Sequence, residues 1–268
     1  MASKFFGGIF RIQLNANQQE ILKFAAEGHN LLITGQAGVG KSEVVKRIIA
    51  TLNARGKTVG IVCSSGISCQ VYDRGIASTV HSFYGLMTAD LPWRQLIDRS
   101  LANSVVCDRV RAIDAIIWNE ASMCSQRMFE LVNCLHHELA DDQVSRTLPF
   151  AGKQLILVGE FPQSQPVPNI FDEGCCMFES PLFDLAISHR FALTKVMRQS
   201  ENDKHFINVL AEIRLGWCSK GSEDYIFSLK SSLSANLEKS VTHVFFRKMP
   251  LTLMKRKELD KLPGELLV

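Results

Sequence analysis

The octapeptide Gly35-Gln36-Ala37-Gly38-Val39-Gly40-Lys41-Ser42 constrains this chain more than any other feature. It matches G-x-x-x-x-G-K-[ST] at every fixed position. The apolar run Asn30-Leu31-Leu32-Ile33-Thr34 precedes it, and a helical pattern with Val44, Val45, Ile48 and Ile49 on one side follows. Strand, glycine-rich turn and helix in that order open a P-loop unit, whose strands run parallel because each returns through a helix. Glycines let the backbone curl until its N–H groups converge. The helix N-terminus adds partial positive charge at the same point. The cradle suits phosphate, so Gly35, Gln36, Ala37, Gly38, Val39, Gly40, Lys41 and Ser42 are expected to bind a nucleoside triphosphate. Lys41 would reach the β- and γ-phosphates, and Ser42 would offer its hydroxyl to Mg²⁺. A glycine-rich turn with a chance lysine is the competing explanation, and the flanking strand and helix argue against it. The motif specifies NTP and leaves the reaction open, since kinases, GTPases, transporters and motor ATPases share it.

The rest of the chain fits an α/β domain with a mainly parallel sheet flanked by helices. Branched apolar runs predict strands over 30–34, 58–63, 115–119, 154–159 and 192–196. Helical periodicity predicts helices over 16–27, 41–54, 94–111, 125–139 and 203–215, the first capped by Asn15. Residues 140–152 and 162–181 are polar or proline-marked and read as loops. No internal repeat or low-complexity stretch breaks the pattern. The segment from about 219 onward is more polar and reads as a linker entering something else.

Bulk properties exclude little. At 268 residues the chain can bury a substantial core, and its 46% hydrophobic content is ordinary for a globular protein. No apolar run is long enough to cross a bilayer, so no membrane partner is expected. The N-terminus lacks the core and cleavage site of a signal peptide. An intracellular location is expected, nuclear or mitochondrial if the source is eukaryotic. A net charge of +3 permits nucleic-acid binding without arguing for it. The basic clusters Lys46-Arg47, Arg247-Lys248 and Lys255-Arg256-Lys257 read as solvated surface. Eight cysteines show neither C-x-x-C pairs nor zinc-finger spacing. Cys63, Cys107 and Cys134 lie in apolar stretches and read as buried thiols. Cys175-Cys176 reads as a loop entering a core in preference to a redox or metal feature.

Two later strand ends supply candidate partners for the phosphates. Ile116-Ile117-Trp118-Asn119-Glu120 ends an apolar strand with a polar pair. In a P-loop fold that position lies beside the nucleotide. Glu120 suits a base that takes a proton from the attacking water. Asn119 stands where a metal-holding Asp is expected, so Ser42, Asn119 and Glu120 form the candidate Mg²⁺ set. The strand over 154–159 runs into Glu160-Phe161-Pro162-Gln163. Gln163 would sense the γ-phosphate or orient water, and Glu160 could contact the metal shell.

The order of these motifs resembles the petite-integration-frequency (Pif-type) DNA helicases of helicase superfamily one, from about Leu14 to the C-terminus. Leu14-Asn15-Ala16-Asn17-Gln18 resembles the family's opening L-S-x-x-Q, in which the Gln reads adenine. Ser64-Ser65-Gly66-Ile67-Ser68-Cys69 resembles S-T-G-x-A-A, and Thr79-Val80-His81-Ser82-Phe83-Tyr84-Gly85-Leu86 resembles T-x-H-x-F-x-G-I. Both segments line the single-strand track in the family. Residues 118–123 are similar to I-D-E-I-S-M, and residues 159–167 to G-D-F-x-Q-L-P-P-V. Leu193-Thr194-Lys195-Val196-Met197-Arg198-Gln199 resembles L-T-x-x-x-R-Q, followed by Ile213-Arg214-Leu215-Gly216. Leu262-Pro263-Gly264-Glu265 resembles a family L-P-G-E.

The resemblance implies a RecA-like motor domain over 14–218, with a short insertion near 87–111 and an extension over 1–13. Residues 219–268 would be a linker and the start of a second domain. The implied activity is ATP-driven 5′ to 3′ movement on single-stranded DNA, with unwinding of duplex junctions. Roles in DNA repair, recombination and telomere maintenance are implied with it. Lys41, Glu120, Gln163 and Arg198 would be catalytic, Arg198 as a fixed cation at the γ-phosphate. Gln18 would join the nucleotide-binding set. Ser65, Gly66, His81 and Phe83 would touch DNA, where aromatic and polar groups grip a strand without reading sequence. For His81 and Phe83 a capped helix start and a core aromatic compete with that role. The chain departs from the pattern at Asn119, at Glu160, Ser164 and Gln165, and in stopping where the family's second RecA-like domain begins. A nucleotide- or strand-binding module without turnover is therefore the alternative to an active helicase. A small-molecule kinase would need an arginine-bearing lid that the sequence does not offer.

Overall fold

The structure is a computed structural model that describes residues 13–195, 197, 204–230, 242–245 and 247–261. Residues 1–217 form one compact unit and residues 218–268 another. The first unit is built on α1 (Ala16–Ala26), β1 (Leu31–Thr34), α2 (Lys41–Ala54), β2 (Val59–Cys63), α3 (Gly66–Cys69), β3 (Ala77–Thr79) and α4 (Val80–Phe83). It continues through α5 (Trp93–Leu101), α6 (Ser104–Ala112), β4 (Ala115–Asn119), α7 (Gln126–Glu138), β5 (Gln154–Gly159), α8 (Pro181–Ala186), β6 (His189–Ala192) and α9 (Lys204–Arg214). The second unit contains α10 (Lys220–Ser228) and α11 (Lys248–Leu259).

The six strands form one sheet in the order β3-β2-β4-β5-β1-β6, and every neighbouring pair is parallel. Alternation along the strands explains why the sheet is covered on both faces. Leu32, Val62, Ile116, Trp118, Leu155 and Leu157 point to one core, which α7 closes with Phe129, Val132 and Leu135. Leu31, Ile33, Ile61, Ile117, Ile156 and Val158 point to the other, which α1 and α2 close with Ile21, Val45 and Ile48. Each such side chain removed from water contributes about 1.5–3 kcal/mol, so the central strands are held from both sides. The fold is the expected P-loop, RecA-like α/β domain, and the described residues contain no second sheet.

Parallel strands bring all their C-terminal ends to one rim, and register fixes the order along it. Thr34 pairs with Gly159 on one side and with Ala192 on the other. Asn119 pairs with Val158 and with Cys63, and Cys63 pairs with Thr79. From edge to edge the rim therefore carries the segments that follow Thr79, Cys63, Asn119, Gly159, Thr34 and Ala192.

The structure corrects several boundaries. The last strand is His189–Ala192, upstream of the expected 192–196. It is an edge strand with alternating exposure, and its His189 and Phe191 pack on Phe24 at 4.5 and 5.5 Å between ring centroids. The amphipathic pattern was masked by the more apolar residues that end it. The helix expected over 94–111 is two, because Asn103 caps α6 by accepting the Val106 N–H at 3.3 Å. The short strand β3 was missed because its three half-buried residues carry no apolar run. The loop over 140–152 holds two short 3₁₀ turns and a fully buried Phe150, packed on Phe129 and His136. Burial drives the His136 imidazole pKa down to about 3, and its Nε2 lies 3.0 Å from the Tyr84 hydroxyl. Among the described residues after 219, where a linker and the start of a second domain were expected, the chain forms α10 and α11. Cys63 and Cys107 are buried as expected, while Cys134 is half-buried. Burial, with neighbouring Cys69, pushes the Cys63 thiol up to about 12, so it is an inert core group. No described helix is long and apolar enough to cross a membrane.

Candidate functional site

The phosphate loop is shaped by contacts that only glycine tolerates. Gly35 has φ 144°, and a Cβ there would lie 2.3 Å from the Leu193 carbonyl oxygen. Gly40, with φ 87°, is the residue before α2, and a Cβ there would lie 2.8 Å from Gln18 Nε2. The loop is thus clamped between the end of β6 and the start of α1. Gln18, 2% exposed, braces it from below by donating Nε2–H to the Val39 carbonyl at 3.4 Å. Its Oε1 accepts the Asn15 N–H at 3.1 Å, while Asn15 Oδ1 accepts the Gln18 N–H at 2.9 Å. Both ends of the Gln18 amide, the group expected to read adenine, are engaged inside the protein in this state. On the other side Met197 donates its N–H to the Gly38 carbonyl at 2.8 Å. Arg198, the next residue, lies outside the described residues.

Lys41 folds back over the loop it belongs to. Its Nζ donates to the carbonyls of Gly35 and Gln36, the latter at 3.1 Å. It also stands 3.9 Å from Glu160 Oε2. Ser42, in the first turn of α2, is exposed. Glu160 is 4% exposed, and its other oxygen, Oε1, accepts the Arg214 Nε–H at 2.6 Å. A cavity of about 330 Å³ opens here, with Gln36, Ala37, Glu160 and Gln163 on the rim side and Ile207, Leu210 and Arg214 of α9 opposite. Gln163 is exposed at its edge, held in a turn by its N–H to the Glu160 carbonyl at 3.0 Å.

Asn119 ends β4, half-buried, with its carbonyl accepting the Ser64 N–H at 3.1 Å. Glu120 then adopts φ 53° and ψ 43°, a left-handed conformation that is costly for a non-glycine residue. The turn is fixed by contact. Gly159 packs so closely on the residues that follow that a Cβ would meet the Ser122 nitrogen at 3.0 Å. The Ser42 hydroxyl, Asn119 amide oxygen and Glu120 carboxylate are hard oxygen donors of the kind Mg²⁺ takes alongside phosphates and water. Only one of the three is a carboxylate, since Asn119 stands where an Asp was expected. Among the described residues no three His, Cys, Asp or Glu side chains cluster to hold a metal by themselves.

The residues expected to touch DNA fall on the β2–β3 half of the rim and divide there. Ser65 caps α3, with its Oγ accepting the Ser68 N–H at 3.3 Å. Gly66 is exposed, and a Cβ on it would meet nothing within 4 Å. His81 is half-buried in a second cavity of about 220 Å³, shared with Ser64, Trp118, Met123 and Pro166. Burial lowers its pKa below the ordinary histidine value. Phe83 is the correction. It is 5% exposed, its ring lies against Tyr84 at 5.0 Å, and the Arg109 guanidinium covers it at 4.8 Å. No face of the ring is open to stack a base, so its place in T-x-H-x-F reflects core packing. Sequence reasoning assigns Arg214 no role; the signal that could have found it is a cation ending an amphipathic helix.

Residues 13–224 match the family described as PIF1-like helicase. The chain is 27% identical over 259 residues to the ATP-dependent DNA helicase PIF1 of Xenopus laevis, covering 95% of this chain and 38% of that protein. It thus spans less than half the length of that curated relative. The crystal structure of Pif1 helicase from Candida albicans aligns at a TM-score of 0.79 and 26% identity, over 95% of this chain and 56% of that one. Pif1 helicase from Bacteroides in complex with ADP-AlF3 and ssDNA aligns at 0.75 over 95% of this chain and 58% of that one, and at 21% identity that likeness is one of fold. The family match runs from Gln13 through the whole six-stranded sheet into α10, and on that ground the chain belongs to the PIF1-like helicase family.

Proposed function

We propose that this chain binds ATP with Mg²⁺ in the loop from Gly35 to Ser42 and serves as the nucleotide-binding lobe of an ATP-dependent DNA helicase. The observation that carries the reading is the curled loop itself, with Lys41 folded over its carbonyls and Glu160 at hand. Lys41 would exchange those contacts for β- and γ-phosphate oxygens, while the loop amides and the start of α2 take the rest of the charge. Ser42 and Asn119 would hold Mg²⁺, which would neutralise the phosphates when bound. Glu120 would accept the proton of the attacking water, and Gln163 would orient that water beside the γ-phosphate. Arg198 would stabilise the charge that develops there. Single-stranded DNA would lie along the β2–β3 half of the rim, against Ser65, Gly66 and His81.

Bacteroides Pif1 bound to ssDNA, and the same helicase with ADP-AlF3 and ssDNA, support this reading of partners. Movement from 5′ to 3′, unwinding of junctions, and roles in repair, recombination and telomere maintenance belong to the same proposal. In it, a second RecA-like domain supplies the far wall of the cleft and half of the strand track. One observation favours a second reading, a nucleotide- and strand-binding module without turnover: Asn119 brings no negative charge to the metal. Calorimetric titration of the chain with a non-hydrolysable ATP analogue and Mg²⁺ tests the first reading. Binding should occur and Lys41→Ala should abolish it. Equal affinity in the variant would reject the cradle.

A further inference from the structure

Glu160 presents a physical problem that its neighbours answer. A carboxylate 4% exposed has lost its hydration and needs compensating partners. Among the described residues the cations within ion-pair distance are Lys41, at 3.9 Å from Oε2, and Arg214, at 2.6 Å from Oε1. The two cations thus take different oxygens of one carboxylate. Lys41 is also the group that a nucleotide must recruit. Glu160 and a phosphate therefore compete for the same ammonium.

We propose that Arg214 is a positioning residue for nucleotide binding, which holds Glu160 so that Lys41 is released to phosphate. The proposal rests on the reading of Lys41 as the phosphate ligand. Without Arg214, Glu160 would be a buried anion with Lys41 as its remaining counter-charge, and the ion pair would tighten against the incoming phosphates. With Arg214 in place the carboxylate stays neutralised after Lys41 departs. Glu160 lies at the end of β5, opposite the loop that follows β1, and Arg214 is the last residue of α9. The pair therefore ties α9 to the floor of the nucleotide cavity, which both residues line. Breaking it would be felt in nucleotide affinity, although Arg214 need touch no phosphate. Arginine suits the post, because its guanidinium stays charged and binds carboxylate in a fixed geometry.

The test is a double-mutant cycle on the full 268-residue chain, read by the affinity of a fluorescent N-methylanthraniloyl derivative of a non-hydrolysable ATP analogue with Mg²⁺. Arg214→Ala should weaken binding roughly tenfold, the low end of what losing an outer partner costs a site. Glu160→Gln, which removes the competitor for Lys41, should bind more tightly than the parent chain. The double variant Glu160→Gln/Arg214→Ala should recover most of the loss, and Arg214→Lys should fall between Arg214→Ala and the parent. Rescue by Glu160→Gln separates this role from two others. If Arg214 contacted phosphate directly, or only held α9 in place, the double variant would bind as weakly as Arg214→Ala, and the proposal would be overturned. Arg214→Ala binding like the parent would overturn it as well. Thermal unfolding of each variant checks that the comparison is made on folded protein, and the double variant still decides if Arg214→Ala does not fold. A parent chain that binds no nucleotide would remove the reading of Lys41, and this proposal with it.

Discussion

The two halves of the sheet rim obey different rules. On the β1–β5–β6 half, backbone packing dictates residue type: Gly35 lies against the Leu193 carbonyl and Gly40 against Gln18, so side chains are excluded by contact. On the β2–β3 half, Gly66 faces open space and His81 is half-buried in a cavity. The first half is a cradle whose shape is complete in the chain. The second is a more open surface, on which Ser65 caps α3 and Phe83 fills the core. Asn119 and Glu120 stand at the seam between the two, where β4 joins them in register.

Phe83 gives the sharpest test of that division. If it is core, Phe83→Ala should cost about 3–5 kcal/mol of stability in denaturant unfolding. The folded fraction should bind single-stranded DNA as before. Unchanged stability with weakened DNA binding would return Phe83 to the surface half and break the contrast. The seam comes next in size. Asn119→Asp should raise ATP hydrolysis at saturating Mg²⁺ by roughly tenfold or more, the scale on which a metal site responds to such a partner. No rise would show that Asn119 is not what limits hydrolysis, and would remove the observation that favours the reading without turnover.

How much could be read from sequence follows from the same division. The phosphate half was legible because G-x-x-x-x-G-K-[ST] encodes backbone geometry, and the strand and helix on either side are long apolar patterns. The central strands β4 and β5 were placed to the residue for the same reason, being buried on both faces. Edge elements were not. β3 and β6 are half-exposed, and their short patterns carry too little hydrophobic signal to locate. Phe83 was ambiguous because an aromatic after a histidine reads equally well as a stacking platform or as packing, and only burial separates the two. The tie between Glu160 and Arg214 joins residues 54 apart in sequence and has no local signature.

Gly66 carries the smallest expected effect and the finest distinction. It begins α3 directly after the cap Ser65, and a Cβ there would touch no heavy atom within 4 Å. Its φ is not among the left-handed ones. Alanine therefore fits the native backbone and restricts the unfolded chain, so Gly66→Ala should leave stability unchanged or raise it by up to about 1 kcal/mol. If a DNA strand passes close over this turn, the same methyl group would keep a phosphate from the backbone. Affinity for a single-stranded oligonucleotide would then fall severalfold, the loss of about 1 kcal/mol expected for one weakened hydrogen bond. Nucleotide affinity in the absence of DNA should not move. A variant as stable as the parent that binds DNA equally well would show that nothing approaches Gly66, and the strand would have to be placed elsewhere on the rim.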